Sequence, residues 1–129
     1  MDHGTVQAWL DRYIEAWRTY DPTQIGELFA ADARYWHGPF REPIEGRDAV
    51  VADWLDSGSR DEPGSWRAEY HPVVVEGATA VVNGRTWYFN PDGSDDTHYD
   101  NIFVIRFDDD GRATEFREWW IERPPPTAA

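Results

Sequence analysis

Between Thr5 and Tyr20 the apolar residues Val6, Trp9, Leu10, Tyr13, Ile14 and Trp17 return every three or four positions, the spacing of a helix with one buried face. The next stretch, YDPTQIGELFAADA, offers Asp21 as N-cap and Pro22 at the first helical position, with Ile25, Leu28 and Phe29 as the stripe of a second, short helix. ARYWHGPF then reads as a brief strand running into a Gly-Pro turn. EGRDAVVADWLDSGS returns to helical spacing, placing Val50, Val51, Trp54 and Leu55 on one face and stopping at Gly58. Beyond the polar loop SRDEPG the pattern is that of strands: SWRAEYHPVVVEG, ATAVVNGRTWYFNPDG, and THYDNIFVIRFDDDG running on into RATEFREWWIER. Turn residues at Glu76-Gly77, Pro91-Asp92-Gly93 and Asp108 to Gly111 divide these runs into four antiparallel strands joined by hairpins. The tail RPPPTAA cannot continue a ladder, because proline lacks the N–H donor; the pattern predicts one domain over 1–123 and a Pro-rich tail at 124–129.

Helices segregated from an antiparallel sheet define an α+β class, with three N-terminal helices covering one face of the sheet. The other face needs solvent or a partner. Ile102 and Val104 have the opposite parity to Phe103 and Ile105, so the last hairpin carries apolar side chains on both sides. That pattern predicts a homodimer through the outer sheet face.

Composition narrows the partners. The formal charge of -13, from 25 acids against 12 bases, opposes nucleic acid and anionic membranes. No run approaches the roughly 20 apolar residues of a membrane span. The start, MDHGTVQAWLDRY, is acidic and amphipathic rather than a basic region followed by an apolar one, so the expected location is cytoplasmic. With no cysteine there is neither a disulfide framework nor a thiolate metal site. Eight tryptophans within an aromatic content of 16% suit a ligand cavity, an interface or an ordinary core alike.

The order helix, helix, short strand, helix, long hairpins resembles the NTF2-like superfamily, the cone-shaped fold of SnoaL-like cyclases, ketosteroid isomerases and limonene-type epoxide hydrolases. The residues that carry the resemblance are RYIEAW, DPTQIGELFAADARYWHGP, PIEGRDAVVADW and FVIRFDDDGRATEF, which together span nearly the whole chain. The resemblance implies helices on the concave face of a curved, mainly antiparallel sheet, enclosing an apolar pocket whose few polar groups set the chemistry. It does not imply one activity, since the same cone hosts enzymes, binding proteins and dimerisation modules. By the resemblance, the oxyanion-donating tyrosine of ketosteroid isomerases falls on Tyr13 and their general base falls at or next to His37. Their second oxyanion donor, an acid, falls on Phe103, a departure that argues against steroid isomerisation by that mechanism. The acid of the epoxide hydrolases' last strand falls on Glu118, while their arginine and aspartate partners have no clear equivalent in NGRTWY.

Parity along the last strand places Phe116, Glu118 and Trp120 on one side and Glu115, Arg117 and Trp119 on the other. The resemblance turns the Glu118 set towards the pocket. A carboxyl group walled by Phe116, Trp120 and Tyr13 loses hydration, which raises its pKa towards neutrality and suits it to proton transfer. Pairing with an arginine is the structural alternative. His37, at a strand end before Gly38-Pro39, is a second candidate for proton transfer or a surface histidine. Tyr13 is a donor to substrate or a core residue, and Tyr99 and Asn101 share the parity of Phe103, so Asn101 points inward to orient a carbonyl or a water. Trp17, Tyr99, Phe103, Phe116 and Trp120 complete the expected pocket wall. His37, His71 and His98 lie on separate strands without ligand spacing, and FDDDG lacks the alternating acids of a calcium loop, so no metal is expected. The expected function is cofactor-free acid–base catalysis on a hydrophobic small molecule: isomerisation, cyclisation, dehydration or hydrolytic ring opening. The alternative is a non-catalytic ligand-binding or dimerisation protein, with Glu118 ion-paired or the cone filled by its own tryptophans.

Overall fold

Asp2 opens the first helix, its carboxylate accepting the Thr5 N–H at 2.8 Å, and α1 runs from His3–Thr19 until Tyr20 turns it with a left-handed backbone, φ 51°. Val6, Trp9, Leu10, Tyr13 and Ala16 form its buried face. Asp21 caps α2 (Pro22–Glu27) by accepting the N–H groups of Thr23 and Gln24. The computed structural model describes residues 1–56, 58 and 60–125. After α2 come β1 (Phe29–Trp36), β2 (Ile44–Glu45), α3 (Arg47–Leu55), β3 (Trp66–Glu76), β4 (Thr79–Phe89), β5 (Asp95–Phe107) and β6 (Ala113–Glu122).

Among the described residues the strands make a six-stranded sheet in the order β2-β1-β6-β5-β4-β3, antiparallel except where β1 runs parallel to β6. The helices pack on its concave face, so the α+β class read from the pattern and the cone implied by the resemblance are the architecture observed. Three boundaries differ. Phe29 is not part of the second helix: it starts β1 and pairs with Ala113, and the helix stops at Glu27 because the backbone there gains sheet hydrogen bonds, Ala113 N–H donating to Leu28 O at 2.9 Å. β2, only two residues long, has no alternation to announce it. α3 ends at Leu55, before Gly58. At the other end, Arg123 N–H still donates to His98 O at 2.6 Å, and Pro124 and Pro125 carry no regular structure. The remainder of the expected tail, 126–129, lies outside the described residues.

The narrow end of the cone is solid. Trp9, with no exposed surface, meets Phe29 and Phe107 edge-on at 6.1 and 5.6 Å, while the Tyr13 ring stacks on Phe116 at 5.5 Å. Phe103 and Phe116 share this packing at 4.8 Å. Each such ring buried on folding contributes about 1.5–3 kcal/mol. Gly84 on β4 permits a close approach nearby: a Cβ there would collide with the Glu69 carbonyl oxygen and the Tyr70 ring, so a larger residue would push Tyr70 off its strand.

Candidate functional site

Strand alternation carries the polar chemistry to one place. From β6, Glu118 and Trp120 face inward; from β5, Tyr99 and Asn101; from β4, Thr86 and Tyr88; from β3, Tyr70. With Tyr13 and Trp17 of α1, Tyr35 and His37 at the end of β1, and Trp54 of α3, they line a solvent-accessible cavity of about 340 Å³. Tyr13, His37, Asn101 and Glu118 are therefore brought together. So are Trp17, Tyr99 and Trp120 of the expected wall, with Trp120 51% exposed at the rim. Phe103 and Phe116 do not line the cavity. Their side chains face the same way but lie deeper, 1% and 0% exposed, and form its floor beneath Tyr13.

Glu118 is the dominant charge at the inner end. It lines a cavity that water enters, yet protein surrounds it closely enough that desolvation raises its pKa from the usual 4.5 to about 7. Two neighbours oppose that rise: positive charge on His37, and the Tyr35 hydroxyl, which donates to Glu118 Oε2 at 3.3 Å. Among the described residues Glu118 forms no salt bridge, so the arginine clamp considered as an alternative is not observed; Arg117, next in sequence, points away and lies over the Trp36 ring at 3.8 Å. Burial and the nearby carboxylate push the Tyr13 and Tyr35 phenols well above their ordinary range, so both remain neutral donors.

His37 is not isolated. Its Nε2 lies 2.7 Å from Asp53 Oδ2 of α3, and its ring packs at 4.9 Å against Tyr35. A carboxylate on one imidazole nitrogen fixes the ring's tautomer and orientation, leaving the other nitrogen for a second partner. Asn101 is fixed as well. Thr86 Oγ1 donates to Asn101 Oδ1 at 2.9 Å and so has no proton left for Tyr70, whose hydroxyl must donate to Thr86 at 2.6 Å. With Oδ1 satisfied by that chain, the Asn101 amide nitrogen is the group left for the cavity.

Sequence reasoning missed Tyr35, Asp53, Tyr70 and Thr86. Each acts through a partner on another element: Tyr35 through a residue 83 positions away, Asp53 through one 16 away. A signal did exist for Tyr70 and Thr86, because both alternate inward along strands whose turns were legible. Asp53 gave none, since it lies off the apolar stripe of its helix and reads as a solvated acid. Among the described residues no group of three or more His, Cys, Asp or Glu is placed to hold a metal ion.

A family model described as the SnoaL-like domain matches residues 10–116. Among solved structures, a candidate ketosteroid isomerase from Kribbella flavida is similar to this chain, with a TM-score of 0.69 at 19% identity, covering 99% of this chain and 86% of the other. At that identity the likeness concerns the fold. No curated protein matches the sequence.

Proposed function

The chain belongs to the SnoaL-like family, and from that premise we propose that it is a cofactor-free general acid–base catalyst acting on a hydrophobic small molecule held in the cone. The observation that carries this reading is Glu118: a carboxyl group poised near pH 7 inside a cavity, beside a hydroxyl donor, a histidine oriented by an aspartate and an amide aimed inward. Near neutral pH such a carboxylate is present to take a proton and its acid form to return one, which is the condition for efficient proton transfer. For a substrate with a carbonyl group, Glu118 removes the proton from the adjacent carbon while the Asn101 N–H group and a tyrosine hydroxyl hold the developing negative oxygen. Returning the proton to another carbon completes an isomerisation. Loss of a leaving hydroxyl protonated from His37 completes a dehydration. Neither route requires more than these side chains.

Deuterium uptake at the carbon next to the carbonyl of a set of cyclic ketones and enones, followed by NMR in heavy water, tests this directly. The wild-type protein should exchange these positions, and Glu118→Gln should slow the exchange about 100-fold or more. Exchange that persists undiminished in the variant would remove Glu118 from the chemistry.

The homodimer and a cytoplasmic location belong to the same reading. Support for the dimer comes from apolar side chains on the outer sheet face: Val74 is 50% exposed, Trp119 36% and Ile121 72%. Light scattering in solution decides the first and cell fractionation the second. The chain has no helix long and apolar enough to cross a membrane among its described residues.

A further inference from the structure

The cavity has a second end, which the proton-transfer reading leaves without a role. At the mouth, Asp61 sends its carboxylate inward: Oδ2 accepts the Trp17 indole N–H at 3.0 Å, and its backbone N–H donates to the Tyr20 hydroxyl at 2.8 Å. Trp17 is held from behind by stacking on Trp66 at 3.6 Å and meets Tyr88 edge-on at 6.4 Å. A half-buried carboxylate thus sits among three aromatic rings. It has no ion pair among the described residues, and the adjacent Arg60 is turned away, over the Tyr20 ring and onto the Leu55 carbonyl oxygen.

The cavity is also poor in fixed positive charge. All 12 basic residues of the chain are arginines, and none of them lines it. Among the described residues its ionisable groups besides the tyrosines are Asp61, Glu118 and His37. An anionic ligand would meet two carboxyl groups, with only His37, already paired with Asp53, to compensate them. A cationic one would meet a carboxylate and the negative faces of aromatic rings, the arrangement that favours ammonium groups most strongly when water is partly excluded. Burial also raises the Asp61 pKa, the behaviour of a carboxylate that has lost water without gaining a counter-ion.

We propose that the mouth is a cation subsite, and that the ligand of this protein carries an amino or quaternary ammonium group held by Asp61 between Trp17 and Tyr88. The inference rests on the reading of the cavity as a ligand site and specifies its substrate class: an amine at one end and, at the other, a carbonyl oxygen reaching the Asn101 amide. The net charge of -13 assists such a ligand at long range by raising its concentration near the surface.

Three para-substituted acetophenones separate the possibilities: para-acetyl-trimethylanilinium, its neutral isostere para-tert-butylacetophenone, and the anion para-acetylbenzoate. Binding is measured by tryptophan fluorescence and calorimetry at about 0.15 M salt, where surface charge is largely screened. The cation should bind about tenfold tighter than the neutral isostere, and the anion weakest. Asp61→Asn should bring the cation down to the level of the neutral probe and leave the neutral probe unchanged, which also shows that the variant is folded. Tyr88→Leu should lower cation affinity by a smaller factor, about threefold, through loss of one ring. Equal binding of cation and isostere by the wild type would overturn the subsite while leaving the cavity as a ligand site, as would a cation preference that survives Asp61→Asn. Failure of all three probes to bind would overturn both.

Discussion

Phe116 and Trp120 point the same way from one strand, four residues apart, yet one is 0% exposed and the other 51%. The difference divides the molecule. Towards Phe116 the concave face is filled by Phe29, Phe103 and Phe107 around Trp9, rings without polar atoms apart from an indole N–H that donates to the Leu28 carbonyl oxygen at 3.0 Å. Towards Trp120 the same strands present tyrosine, threonine, asparagine and glutamate around open space. Apolar packing and polar side chains are thus assigned to opposite ends of one sheet. Aromatic rings serve both, but only at the open end do they carry hydroxyl groups into a cavity.

Substitution at the two positions should expose that division most strongly. Phe116→Ala opens a void in a packed interior and should cost about 3–5 kcal/mol in denaturant unfolding. Trp120→Ala removes a half-exposed rim residue and should cost under about 1 kcal/mol, while weakening whatever occupies the cavity. Equal losses at both positions would mean that the cavity end is as much a structural core as the solid end.

A smaller effect, and one of opposite sign, is expected at Glu118. Its folded pKa of about 7 lies above the ordinary 4.5, so between these values the folded state binds more protons than the unfolded one. Stability must then fall as pH rises through that window, by an amount on the order of 3 kcal/mol. Glu118→Gln removes the titration. The variant should match the wild type near pH 4, gain on it as pH rises, and be the more stable protein at pH 8. A variant less stable than the wild type at pH 8 would show that the ionised carboxylate is held by compensating partners, and the open end would lose its distinguishing strain.

Much of this division was legible along the chain, because hairpin strands obey a period of two between recognisable turns. Parity alone put Glu118 and Trp120 on one face and Trp119 on the other. It could not supply depth: Phe103 and Phe116 have the same parity as Asn101 and Glu118, and only the closing of the cone converts distance along the strand into burial. β1 resisted for a related reason. Its pairing with β6 shifts register between Phe29 and Arg34, so its burial pattern does not alternate, and Phe29 fitted the helical stripe of Ile25 and Leu28 equally well. The polar pairs were hidden because His37 with Asp53 and Trp17 with Asp61 meet only once separate elements are packed.

The finest test of the comparison lies at Tyr70, which belongs to both halves: its ring packs at 4.8 Å on Phe103, and its hydroxyl begins the chain through Thr86 to Asn101. Tyr70→Phe keeps the ring and deletes the donor. The Thr86 oxygen is then left with an unmet acceptor site, a loss of about 1 kcal/mol in stability. The consequence for the cavity should be larger in proportion, because Thr86 no longer receives a proton from Tyr70 and is free to accept one from the Asn101 amide instead. In that flipped state Asn101 turns its carbonyl oxygen, not its N–H group, towards the ligand. Carbonyl probes should therefore bind more weakly to Tyr70→Phe than its small stability loss would suggest, and the side-chain amide signals of Asn101 in NMR should shift. If stability falls while carbonyl binding and the amide signals stay put, Tyr70 serves the packed half alone, and the orientation of Asn101 is fixed by the strand rather than by the hydroxyl chain.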